Sequence, residues 1–132
     1  MSVETNKQLV LSTLAALAAG NYPAMLDGLA EDIRFYVIGS TPYSGLYQGR
    51  QEVLEKILLP MGAQRDASGF TEEIINLIAE NDYVVSESRG KKTTVSGQAY
   101  NNEYLFIYRI EDKRIKEWRC YLDTQLLADR HS

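Results

Sequence analysis

Alternation of side-chain character with a period of two runs almost unbroken from Tyr83 to Thr124, and it restricts this chain to folds built on long, consecutive β-strands. Two acidic turns, Asn81-Asp82 and Glu111-Asp112, are nearly its only punctuation. Tyr, Phe, Ile, Val and Trp, which pack well on a pleated surface, are frequent here, and Gly and Pro are scarce. Between Tyr100 and Glu111 one face carries Tyr100, Asn102, Tyr104, Phe106, Tyr108 and Ile110, and the other Asn101, Glu103, Leu105, Ile107 and Arg109. Neither face is wholly polar, so the sheet needs two covers: helices on one side and, as the expected second layer, another subunit. Glu111-Asp112-Lys113 reads as a tight turn into a strand over Arg114 to Leu122, making an antiparallel hairpin.

Upstream the period changes to that of helices. Glu4 to Ala19 places Leu9, Val10, Leu14 and Leu17 on one arc, opens with Thr5 and Gln8 as a capping box, and stops at Gly20. Pro23 suits a first helical position ahead of a short helix over Ala24 to Ala30. Ile33 to Ile38 is β-rich and ends at Gly39-Ser40-Thr41-Pro42. Arg50 to Leu59 is a third amphipathic helix, with Pro60 and Gly62 as its stop, followed by a polar connection over Ala63 to Gly69. Phe70 to Glu80 starts the meander. The order implies an α+β domain spanning 1–132, with helices against one face of a strongly curved antiparallel sheet. Strands of ten or more residues must twist and bend around those helices, and the open end of such a cone is a cavity of the kind that binds ligands.

A net charge of -4 argues against nucleic acid as a partner, because phosphate recognition needs clustered Lys and Arg. Arg89, Lys91 and Lys92 form the lone basic cluster and read as a solvated strand end. One cysteine excludes an internal disulfide, and one histidine excludes a His-rich metal site, so neither metal nor cofactor is expected. No apolar run approaches the ~20 residues that span a bilayer, and the first residues lack a basic stretch followed by an apolar core. A cytoplasmic protein is expected, without membrane contact.

Several strings in this order resemble the nuclear transport factor 2-like superfamily, and within it the SnoaL-like, ketosteroid isomerase-related proteins. They are Ala19-Gly20-Asn21, Leu29-Ala30-Glu31-Asp32, Tyr47-Gln48-Gly49-Arg50, Gly97-Gln98-Ala99-Tyr100-Asn101-Asn102 and Arg119-Cys120-Tyr121-Leu122-Asp123-Thr124. The resemblance implies a cystatin-like roll, a cone-shaped sheet wrapped around the N-terminal helices. It also shows which catalytic groups are missing. The general-base aspartate, oxyanion-hole tyrosine and oxyanion-hole aspartate of the ketosteroid isomerases fall on Val37, near Thr13 and near Phe106, none of which can carry that proton chemistry. For the limonene-type epoxide hydrolases, an ungapped alignment through Gly97 to Asn101 puts the arginine and following aspartate of the triad on Glu87 and Arg89. The last aspartate falls on Cys120, and the water-holding tyrosine and asparagine on Phe35 and Val37. Both reactions are therefore disfavoured.

Glu87 and Arg89, two apart on one strand, share a face that the family register aims into the cavity. There Arg89 would grip a carboxylate or enolate oxygen and Glu87 would orient it or move a proton; the alternative is an exposed salt bridge worth ~0–1 kcal/mol. Asn102 and Tyr104 would be donors on an aromatic wall completed by Phe106, with Tyr104 alternatively packing as core. Trp118 is a core anchor or a ligand platform, and Cys120 a pocket residue that behaves as a small hydrophobe. Phe35 and Val37 complete the expected wall. Tyr43, Tyr47 and Asp123 read as rim or turn residues, and His131 as part of a frayed terminus.

The expected function is binding of a small hydrophobic or carbonyl- or carboxylate-bearing molecule by a homodimer, with cofactor-independent isomerase, dehydratase or cyclase chemistry if Glu87 carries a proton. A non-catalytic carrier is the alternative, as is an association module using Leu105, Ile107 and Tyr121 on the outer sheet face.

Overall fold

In the computed structural model, which describes residues 2–131, the Ser2 side chain caps the first helix, α1 (Val3–Ala18), by accepting the Thr5 N–H at 3.1 Å. The helix thus starts earlier than a Thr5 capping box would put it. Asn6, Val10, Thr13 and Leu14 make its buried stripe, and it packs on α2 and on two strands of the sheet. Asn21 caps α2 (Tyr22–Asp27), which begins and ends before the expected Ala24 to Ala30. The residues after it belong to β1 (Leu29–Val37), whose Leu29 and Ile33 are fully buried.

β2 (Gly45–Gln48) was not expected; it pairs antiparallel with β1, Tyr47 opposite Phe35. Nor does Pro60 stop the next helix. α3 (Arg50–Val53) runs through a π-helical turn over Leu54–Leu58 into α4 (Leu59–Ala63), where the Leu59 N–H reaches back to the Leu54 carbonyl. Widening the turn by one residue removes the clash a proline ring makes with the carbonyl four residues earlier. The expected polar connection is also short, because β3 (Arg65–Glu80) begins at Arg65.

β4 (Tyr83–Thr94), β5 (Ala99–Tyr100), β6 (Glu103–Glu111) and β7 (Arg114–Leu122) complete a curled sheet in the order β2-β1-β7-β6-β4-β3, with β5 beside β4. All pairings are antiparallel except β1 with β7. Asp112 and Lys113, with φ of 51° and 62°, make the tight turn between β6 and β7. Two successive positive φ values match the twist of the flanking strands. Breaks in the β3–β4 register between Arg65 and Phe70, and between Ile74 and Asn76, bend the long hairpin over the helices.

The core is anchored by Trp118, 1% exposed, against the rings of Phe35, Phe106 and Tyr108 at 5.1, 5.6 and 5.4 Å. α5 (Thr124–Arg130), unanticipated, is capped by the Asp123 side chain accepting the Leu126 N–H at 3.1 Å. It brings His131 back into the structure at 5% exposure, edge-on to Tyr100 and beneath Tyr43, whose hydroxyl donates to the His131 carbonyl. His131 is therefore packed, not frayed. No helix among the described residues is long and apolar enough to cross a membrane.

Asn102 ties the start of β6 to the start of α5. Its Nδ2 donates to Tyr100 Oη at 2.9 Å and to the Asp123 carbonyl at 3.1 Å, and its Oδ1 accepts the N–H groups of Glu103 and Asp123. Replacing it by alanine strands buried donors and acceptors, so Asn102→Ala is expected to destabilise by about 2–3 kcal/mol in urea unfolding. A loss below about 0.5 kcal/mol, the range of inconsequential surface changes, would refute this role.

Candidate functional site

The concave face of the sheet and the helices flank a half-open cavity of about 150 Å³. Its wall is apolar and aromatic, with Phe35 and Val37 from β1, Tyr104 and Phe106 from β6, and Trp118 and Cys120 from β7. Those six expected pocket residues all line it. Asn102 does not: it is 1% exposed, but its hydrogen bonds are spent on the junction described above.

Glu87 and Arg89 point the other way. Both are exposed on the convex face, Glu87 accepting from Asn76 Nδ2 at 2.6 Å and Arg89 lying 3.6 Å from the Glu103 carboxylate. The proton-carrier and anion-gripping roles expected of them in the cavity are corrected accordingly. The inward residues of β4 are Val84, Ser86, Ser88, Gly90, Lys92 and Thr94. That face is built of small and polar side chains because the neighbouring strands supply the bulk: a Cβ on Gly90 would lie 2.7 Å from the Tyr104 ring and 2.8 Å from that of Phe70. With Tyr, Val, Glu, Arg, Lys and Thr on the opposite face, neither side offers a hydrophobic contrast, so the strand carries no local signal of its parity.

The charged groups of the cavity are others. Glu72, paired across the hairpin with Gly90, is the one carboxyl among the described lining residues. Ser88 Oγ donates to its Oε2 at 2.7 Å, yet burial outweighs that bond and raises the carboxyl above its ordinary pKa. The spacing of Phe70, Glu72 and Ile74 was the available signal: an acid between two apolar residues on one strand face.

Lys92 is 8% exposed, so it is no part of a solvated strand end. Its Nζ donates to the Met61 carbonyl at 3.2 Å and lies 5.0 Å from the centre of the Tyr100 ring. Burial first, and the nearby Arg65 guanidinium second, bring its pKa down to about 8. Arg65 lines the same cavity and donates to the Ala18 carbonyl at the end of α1 at 3.4 Å. Burial also pushes the Tyr100 phenol and the Cys120 thiol up to about 12, and Tyr104 well above its ordinary value. Cys120 is consequently an un-ionised thiol at neutral pH, without nucleophilic character. Trp118 Nε1 has no hydrogen-bond partner among the described residues. Nor do those residues bring together three or more His, Cys, Asp or Glu side chains as a metal would require.

A helix-backed, curled sheet around an apolar cavity with a few inward polar groups defines a class of small α+β proteins. Residues 10–118 match the SnoaL-like domain, and the chain belongs to that family, within the nuclear transport factor 2-like superfamily. Among solved structures it is similar to a nuclear transport factor 2-like protein of Burkholderia thailandensis, at 21% identity over 100% of this chain and 99% of that one, with a TM-score of 0.83. TerC, co-crystallised with polyporic acid, superposes with a TM-score of 0.81 at 16% identity, over 96% of this chain and 98% of TerC. An LEH-like epoxide hydrolase of M. tuberculosis gives 0.73 at 18% identity, over 97% and 90% of the two chains. At these identities the likeness is one of fold. A comparison with curated proteins finds no match.

The depressed pKa of Lys92 has a consequence for stability. Its folded-state value lies below the unfolded one, so keeping the ammonium charged works against folding at every pH below about 8. The penalty disappears as pH rises from about 8 to the ordinary 10.5. Lys92→Met is therefore expected to be more stable than the parent at pH 7, by about 1–2 kcal/mol after solvent screening, and to lose most of that advantage by pH 10. An advantage that is absent at pH 7, or equal at both pH values in denaturant unfolding, would contradict the burial argument.

Proposed function

We propose that this protein binds a small, mostly apolar organic molecule in the cavity and acts on it by cofactor-independent acid–base chemistry, with Glu72 as the proton carrier. The supporting observation is the carboxyl itself, held by the Ser88 hydroxyl among the rings of Phe70, Tyr104 and Phe106, with a pKa raised by burial. A carboxylate so placed is a stronger base than one in water. Isomerisation, dehydration and cyclisation need no more from the protein than such a group and a shaped apolar wall. Steroid isomerisation and limonene-type epoxide hydrolysis stay disfavoured, because Val37, Phe106 and Cys120 stand where the resemblance puts the catalytic acids of those enzymes. The same three residues favour the second reading, a carrier that holds its ligand unchanged. The reading places the protein in the cytoplasm, a setting in keeping with its single, buried cysteine.

The probe 5-nitrobenzisoxazole separates the two readings, since loss of its C3 proton to a base breaks the ring N–O bond and releases a coloured phenolate. A saturable rate above buffer is expected, falling as pH is lowered through the Glu72 titration. Glu72→Gln should cut it by about 100-fold or more. Quenching of Trp118 fluorescence by the probe with no proton transfer, or a rate indifferent to Glu72→Gln, would leave the carrier.

We also propose that the convex sheet face pairs with a second copy. Ile75, Ile78, Tyr83 and Leu105 are exposed there, with Ile107 and Tyr121 half-buried beside them. Sedimentation at micromolar concentration is expected to give a dimer, and Leu105→Lys with Ile78→Lys a monomer. A monomeric parent protein would end this reading.

A further inference from the structure

The balance of charge inside the cavity is opposite to that of the whole chain. Acids outnumber Lys and Arg by 18 to 14 overall. The described cavity wall instead holds two cations, Arg65 and Lys92, and one carboxyl, Glu72, whose ionised form burial disfavours.

Among the described residues neither cation has a counter-ion. No carboxylate of the described residues lies within 4.0 Å of Lys92 Nζ or of the Arg65 guanidinium. Lys92 gives one of its three N–H donors to the Met61 carbonyl, and the Tyr100 ring beneath it compensates only part of the charge. Arg65 is tethered by one N–H to the carbonyl end of α1, and among the described residues the rest of its fork has no hydrogen-bond acceptor. The other titratable group coupled to Lys92 is His131, on the chain just beyond α5, and it brings no negative charge. Two like charges kept close in an apolar setting cost stability unless something of opposite sign completes the site. The surroundings hold them in place: the lysine is fixed between Met61 and Tyr100, and the arginine against α1.

On the reading of the cavity as a small-molecule site, we propose that Lys92 and Arg65 form an anion subsite, and that the molecule bound is an organic acid. Its ring or short apolar body lies against Phe106 and Trp118, and its single carboxylate or enolate oxygen is held by the Lys92 ammonium. A cavity of about 150 Å³ limits that body to about one ring. The arrangement also orients the ligand, because an acid group held at Lys92 directs the rest of the molecule along the wall that carries Glu72. Lys92 and Glu72 are diagonal neighbours across the β3–β4 hairpin, since Phe70 is paired with Lys92 and Glu72 with Gly90.

Benzoate and its neutral isostere benzamide test this with the full chain. Trp118, the sole tryptophan, lines the cavity and reports entry of either through its fluorescence. Benzoate is expected to bind at least ~10-fold more tightly than benzamide at pH 7, the equivalent of one charge-assisted hydrogen bond. Lys92→Met should remove most of the preference by weakening benzoate alone, Lys92→Arg should keep most of it, and Arg65→Met should reduce it about threefold or more. Equal affinities of the two ligands in the parent protein, or a preference untouched by Lys92→Met, would overturn the anion subsite while leaving the cavity reading intact. Failure of both ligands to perturb Trp118 would overturn the cavity reading, and the subsite with it.

Discussion

The rest of the structure depends on the burial of Trp118 against Phe35, Phe106 and Tyr108. Those four rings come from β1, β6 and β7, and once they meet on one side of the sheet every strand has its inner face assigned. A strand cannot slip by one residue without turning such a ring outward, so the aromatic cluster acts as the register lock of the central sheet. β4 inherits its parity from β6 through the Ser86–Phe106 and Ser88–Tyr104 pairings, and β3 inherits its own from β4. The inward placement of Lys92 and Glu72 is the last consequence of that chain of pairings.

Seen this way, the polar groups of the cavity are imposed on a scaffold that would be more stable without them. Among the described residues, a buried ammonium without a counter-ion, a carboxyl whose charged form is disfavoured and an indole N–H without a partner all work against folding. Departures of this kind gather at functional or strained sites. The scaffold meets the cost elsewhere, through the fully hydrogen-bonded Asn102 junction and the caps supplied by Ser2, Asn21 and Asp123. α5 adds to this, since its Leu127 closes part of the cavity and His131 packs beneath Tyr43.

The fold was legible because it rests on contrasts that neighbouring residues display. The stripe of Val10, Leu14 and Leu17, the β-rich Ile33 to Ile38 and the faces of Tyr100 to Glu111 all declare themselves within a dozen residues. Tyr104, Phe106 and Trp118 followed from that, since β6 and β7 carry rings on one face, whereas Phe35, Val37 and Cys120 came with the family resemblance. The pair Glu87 and Arg89 was misplaced for the converse reason. With Ser86, Ser88 and Gly90 on one side of β4 and Val85, Glu87 and Arg89 on the other, local hydrophobicity is silent, and an ungapped alignment through Gly97 transferred the wrong face. α5 was missed because its N-cap, Asp123, reads equally well as the end of a strand.

The amino-acid sequence by itself determined the main helices and long strands, their order and the family, because each of these follows from short-range periodicity, turn chemistry and a succession of local strings. Tertiary structure alone decided which charges stand in the cavity. That choice depends on the parity of β3 and β4, which passes strand by strand from the Trp118 cluster through backbone pairings between residues distant in sequence. Apart from Glu72, flanked by Phe70 and Ile74 on one strand face, no local pattern along the chain encodes it.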